Sequence, residues 1–157
     1  RLFEAVREQG VRMDGEPWEL SATAPRSETQ LRFYCDCTFE ESASRDAMSE
    51  RMLAFAEAQG YVSGEVIIGG GAVLNACKVL LNRPAIYFKR PKVKTGGGSI
   101  WDFAATACLF HDAGASATDF SGKPLELNDP TKTFFNHCGV CYTSEPELCS
   151  AVGNFFS

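Results

Sequence analysis

Glu65-Val66-Ile67-Ile68-Gly69-Gly70-Gly71-Ala72 opens the stretch whose reading decides the fold, and the stretch closes on Ala85-Ile86-Tyr87-Phe88-Lys89. Residues 65–68 are short, β-rich and apolar, the pattern of a buried strand. Gly69-Gly70-Gly71 breaks the strand and leads into a helix through Leu81. Leu74, Cys77 and Leu81 share one face of that helix at helical spacing. Arg83-Pro84 stops it, because proline lacks an N–H and disfavours helical geometry in the residue before it. Ala85 to Lys89 then reads as a second strand, so the segment is β-α-β.

The same alternation extends in both directions. Upstream, Leu2-Phe3-Glu4-Ala5-Val6 and Trp18-Glu19-Leu20-Ser21 flank a hairpin with Asp14-Gly15 in its turn. Ala22 to Thr29, containing Pro25, is a polar linker. Gln30 to Phe39 alternates as a strand. Ser42 or Ser44 caps a helix to Gln59, with Met48, Met52, Phe55 and Ala56 as its apolar stripe and Gly60 beyond its end. Downstream, a basic glycine-rich loop precedes a helix from Asp102 to Ala113 that Gly114 ends. Ser116–Phe120 and Leu125–Leu127 read as strands about Ser121-Gly122, and Phe134–Tyr142 as another strand. A last helix opens at Glu145 or Pro146. The fold class is α/β, a mixed β-sheet flanked by helices.

Composition bounds the function. The chain has 157 residues, 45% hydrophobic and 22% charged, which suits one soluble domain. No apolar run approaches the ~20 residues of a membrane span. A net charge of −5 argues against a general nucleic-acid binder. Residue 1 is Arg, and the expectation is a chain cut from something longer. Seven cysteines read as reduced, mostly buried thiols of a cytoplasmic protein. His137-Cys138-Gly139-Val140-Cys141 with Cys149 invites a zinc site, but on a strand over 134–142 Cys138 and Cys141 point to opposite faces. Cys35 and Cys37 would share a strand face as core or edge residues.

Three features carry chemistry. Asp102 stands where a glycine-rich loop becomes a helix, and it is either a helix cap or a ligand for a hard cation such as Mg²⁺. Gly69-Gly70-Gly71 is either a tight turn or an anion-binding helix N-terminus. Lys89, Arg90, Lys92 and Lys94, followed by Thr95-Gly96-Gly97-Gly98-Ser99, form either a solvated loop or a set of cations for substrate phosphates.

The ordered run Trp101-Asp102-Phe103-Ala104-Ala105, Asp112-Ala113-Gly114, Thr118-Asp119 and Gly122-Lys123-Pro124-Leu125 resembles the C-terminal signature of the inositol monophosphatase superfamily. Ala115 departs from it, standing where a second glycine is usual. The resemblance implies the C-terminal domain of the inositol monophosphatase/fructose-1,6-bisphosphatase fold. It implies Asp102 as a ligand of catalytic Mg²⁺, and Gly70, Gly71 and Ala72 as a lining of the substrate pocket. Residues 1–24 then resemble the hairpin closing an N-terminal metal-binding domain, and residues 25–157 the substrate-side domain. The family's glutamate pair and Asp-Pro-x-Asp-Gly-Thr motif are absent. Asp129-Pro130-Thr131-Lys132 is no substitute, because Lys132 replaces the second carboxylate, and it reads as a turn. The chain alone is therefore expected to be inactive.

The resemblance further implies a phosphorylated small molecule as substrate. Lys89 stands near the place of a glutamate that contacts the inositol ring in inositol monophosphatases. That leaves an inositol or sugar monophosphate open and leans toward a 3′(2′),5′-bisphosphate nucleotide, held by Lys92 and Lys94. The alternative class is a non-catalytic module that binds an anion or a partner. Expected partners are a second copy of the chain or a missing N-terminal half. His111 and His137 receive no role, since metal and carboxylates do the acid–base work in this family.

Overall fold

The computed structural model describes residues 1–129 and 131–157. Its elements alternate much as the sequence does. An antiparallel three-stranded sheet holds β1 (Phe3–Ala5), β2 (Val11–Met13) and β3 (Glu16–Trp18). Asp14 and Gly15 have φ of 55° and 88° and join β2 to β3. Two consecutive positive φ values match the turn that the right-handed twist of paired strands favours. The expected hairpin lacked β2, which here pairs with both neighbours. Phe3 and Trp18 meet edge-to-face at 5.3 Å and pack onto the main core.

The main sheet has five strands in the order β5-β4-β6-β8-β7. These are β4 (Gln30–Cys35), β5 (Ser63–Ile68), β6 (Ala85–Lys89), β7 (Ser116–Thr118) and β8 (Val140–Thr143). β4 pairs in parallel with β5 and β6, while β8 runs antiparallel to β6 and β7, so the sheet is mixed. The helices are α1 (Arg45–Ala58), α2 (Ala72–Leu81), α3 (Ile100–Asp112) and α4 (Leu148–Phe156). The period-two alternation of the strands builds two apolar layers. Leu31, Phe33, Ile86 and Cys141 face α1 and α4. Tyr34, Tyr87, Val140 and Tyr142 face α2 and α3.

Several expected boundaries move. β4 stops at Cys35, because Cys37–Phe39 turn into a 3₁₀ helix. The strand expected over 134–142 is confined to 140–143, so the face argument for Cys138 and Cys141 no longer applies. Cys141 Sγ instead lies 3.6 Å from Cys149 Sγ, both buried between β8 and α4. Residues 125–127 form no strand; Thr118 makes a single bridge to Pro124. Asp119 Oδ1 ties this bend by accepting from the Ser121 and Lys123 N–H groups. On α2 the buried residues are Asn75, Ala76, Val79 and Leu80, while Leu74 is exposed. In the turn expected at 129–132, Pro130 lies outside the described residues, and Asp129 Oδ1 accepts from the Thr131 N–H. Among the described residues no helix is long and apolar enough to cross a membrane.

Candidate active site

The carboxyl ends of β4 and β6 and the N-terminus of α3 carry charged groups, and the N-terminus of α2 lies beside them. That end of an open parallel sheet is where α/β folds place ligands. α3 begins two residues before Asp102, and the Asp102 carboxylate reaches back to accept the Ser99 N–H at Oδ2, 2.8 Å away. This is the carboxylate half of a capping box. Oδ1 makes no hydrogen bond among the described residues, so the cap leaves one hard oxygen free. Of the two roles the sequence allowed, the structure shows the cap.

The loop ahead of α3 is tied down. The Lys92 N–H donates to Asn136 O at 2.7 Å, the Ile100 N–H to Thr133 O at 2.9 Å, and the Phe135 N–H to Gly98 O at 3.1 Å. Gly98 has φ of 131°, and a Cβ there would lie 2.3 Å from Phe103 Cζ. Only glycine lets the loop pass over that buried ring. Gly139 plays the same part on the opposite wall, where a Cβ would lie 2.4 Å from Lys89 O.

Two clefts open at this edge and share a wall of Asp36, Thr38, Lys89, Arg90 and Lys92. The smaller, about 190 Å³, runs between Gly97, Phe103 and Asn136. The larger, about 530 Å³, is backed by Phe39, Met48, Met52 and Phe88. The site therefore has a largely cationic wall common to two compartments, the larger of them backed by apolar side chains.

Asp36 organises that wall. Its Oδ1 accepts from Tyr87 Oη at 3.0 Å and from Asn75 Nδ2 at 3.2 Å. Its Oδ2 lies 2.7 Å from Lys89 Nζ. Burial, reinforced by the Asp36 charge, pushes the Tyr87 phenol far above its usual range, so it remains a donor. Asn75 is fully buried, and its Oδ1, which lies close to Gly70, accepts no hydrogen bond among the described residues. Asp36 was not among the expected site residues. Its available signal was an acid directly after the apolar run of β4, at the end of a strand that is parallel to both neighbours.

Of the expected site residues, Lys92 lines both clefts, and its ammonium lies over Gly97. Lys94 is exposed and lies outside both. Gly70, Gly71 and Ala72 form the start of α2, also outside both linings, with Gly71 as N-cap. They join the site indirectly, since Gly70 O accepts the Cys37 N–H and Asn75 reaches Asp36. Among the described residues no three His, Cys, Asp or Glu side chains converge.

The family model described as "Inositol monophosphatase family" matches residues 1–152. The chain belongs to the inositol monophosphatase family. Solved structures agree on the fold. Inositol monophosphatase from Anabaena is 18% identical with a TM-score of 0.62, covering 98% of this chain and 55% of its own. The extragenic suppressor protein suhB from Bartonella henselae is 19% identical with a TM-score of 0.62, covering 99% and 52%. Staphylococcal IMPase-II is 13% identical. Its inositol monophosphate-bound structure has a TM-score of 0.61 (94% and 50% covered), and its 2′AMP-bound structure 0.58 (95% and 50%). The chain thus spans about half the length of these proteins. No curated protein matches it.

Proposed function

We propose that this chain is the substrate-side part of a Mg²⁺-dependent phosphomonoester hydrolase. The observation that carries the reading is Asp102. It has one carboxylate oxygen engaged by Ser99 and, among the described residues, one without a hydrogen bond; it lies outside both cleft linings, but its charge acts on Tyr87, which donates to Asp36 of the shared wall. The donor set suits a hard cation, so Asp102 would be one ligand of Mg²⁺. Bound there, the metal would supply an activated water and charge neutralisation at the phosphate. Further ligands would come from chain outside these 157 residues, with residues 1–24 as the end of that metal-binding domain. On this reading the isolated chain is inactive.

The chain's own residues bind and orient. Arg90 and Lys92 hold the anionic group, because cations at a partly enclosed wall give strong charge-assisted hydrogen bonds. The apolar compartment behind Met48, Met52 and Phe88 suits a flat, weakly polar ligand body. That combination favours a 3′(2′),5′-bisphosphate nucleotide over an inositol or sugar monophosphate. Staphylococcal IMPase-II has been solved with inositol monophosphate and with 2′AMP bound, a sugar-alcohol monophosphate and a nucleoside monophosphate.

The second reading is a non-catalytic anion- or partner-binding module. Trp101, 67% exposed, and Phe134, 36% exposed, flank the start of α3 and favour a surface that something covers.

The test is phosphate release in Mg²⁺ from an inositol monophosphate and from an adenosine 3′,5′-bisphosphate. The full reading frame and the 157-residue chain are assayed side by side. The proposal expects release by the full reading frame, faster on the bisphosphate, and none by the chain alone. No release by either supports the module.

A further inference from the structure

We infer that Asp36 is a specificity-determining residue of the shared wall: it neutralises Lys89 and so confines a ligand's anionic group to Arg90 and Lys92. The inference rests on the reading of the clefts as a phosphate-bearing ligand's site. Lys89 reaches into both clefts, yet its ammonium lies 2.7 Å from Asp36 Oδ2. A phosphate arriving at Lys89 meets that carboxylate in the same contact, so attraction and repulsion nearly cancel. Arg90 and Lys92 form no salt bridge among the described residues.

The carboxylate is not free to turn away. Oδ1 is held by Tyr87 from β6 and by Asn75 from α2, two elements on either side of the strand end that carries Asp36. The Tyr87 phenol stays protonated, so this anchor persists across the physiological pH range. Lys89 in turn lies 6.0 Å above the Phe103 ring, whose negative face supports the ammonium where it is. Both partners are mostly shielded, with side-chain exposures of 21% for Asp36 and 24% for Lys89, so water screens the pair less than it would on an open surface. The wall thus has a fixed neutral pair at its centre and unpaired cations beside it. A ligand whose anionic group sits at Arg90 and Lys92 is accepted. One that needs a further anion at Lys89 is disfavoured.

The test is calorimetric titration of inorganic phosphate into the 157-residue chain at low salt, for wild type, Asp36→Asn, Lys89→Met and the double variant. Asparagine keeps a carbonyl oxygen for Tyr87 and Asn75 and removes only the charge. Asp36→Asn should bind phosphate about three- to tenfold more tightly, and Lys89→Met more weakly by a similar factor. The double variant should return to within about twofold of wild type, since the net charge of the pair is again zero. An Asp36→Asn variant that binds phosphate no more tightly than wild type overturns the inference, as does a wild-type chain that binds none. Should Asp36→Asn lose its cooperative melt, Lys89→Met decides alone, and unchanged or tighter binding by it refutes the inference. None of these readouts needs turnover. The charge order can therefore hold while the phosphatase reading fails, and the reverse.

Discussion

Gly98→Ala is the substitution whose cost the structure specifies most closely. A methyl at Gly98 would lie 2.3 Å from Phe103 Cζ and 2.5 Å from Cε2. The ring cannot retreat. Phe103 is 1% exposed, meets Phe135 edge-to-face at 5.4 Å and stands 6.2 Å from the Tyr142 ring. Forcing an extra carbon into such packing costs about 1–3 kcal/mol. Position 98 also has φ of 131°, a region that costs a non-glycine residue about 1 kcal/mol or more. Together they amount to about 2–4 kcal/mol, which for a chain of this length lowers the melting temperature by roughly 5–15 °C. Thermal unfolding followed by circular dichroism measures it. A Phe103→Leu change in the same chain should recover part of the loss, because the clash is with the ring. A Gly98→Ala variant melting within about 2 °C of wild type would refute the packing argument, and so would a double variant no better than the sum of its parts.

Tyr142→Phe removes a buried hydroxyl that donates to Phe103 O at 2.9 Å and lies 3.3 Å from Thr106 Oγ1; chemical denaturation should show a loss of about 1–2 kcal/mol. Asp112 accepts the Gln9 and Gly10 N–H groups, and His111 first, then those backbone donors, hold its carboxyl below the usual range. A lowered folded pKa gives stability that is present above the unfolded value and lost as pH falls through the folded one. Asp112→Asn should therefore flatten the fall of melting temperature below about pH 4, and superimposable acid limbs would contradict this. In the full-length protein Lys92→Ala should raise KM for a bisphosphate nucleotide severalfold and Lys94→Ala should change it little, because only Lys92 lines the clefts; equal effects in steady-state assays would place the anion elsewhere.

The β-α-β reading of 65–89 carried through because buried strands and glycine breaks are local signals. α2 shows the limit. Leu74, Cys77 and Leu81 looked like its inner face, but the helix turns Asn75, Ala76, Val79 and Leu80 inward. A buried Asn is invisible to a hydrophobic count, and it is there because Asp36 offers it a partner. Phe134–Tyr142 misled for a related reason. Its β-formers are real, but Phe135 N–H is taken by Gly98 O and Gly139 must pass Lys89, so pairing with β6 begins only at Val140. The place of Asp102 at a helix start was legible because motif and helix start coincide in one segment. Asp36 was not, since its partners lie on β6 and α2 and meet it only in the folded sheet.

The central claim is that Asp102 is a metal ligand at a phosphate site, and the most direct measurement is Mg²⁺-dependent phosphate release by the full-length protein with Asp102→Asn. Asparagine keeps an oxygen for the Ser99 N–H, so the start of α3 should survive with an unchanged melting temperature. The account predicts a fall in kcat of at least about a hundredfold that added Mg²⁺ restores only in part, with phosphate binding at Arg90 and Lys92 retained. Activity within about tenfold of wild type, at an unchanged Mg²⁺ requirement, would contradict it.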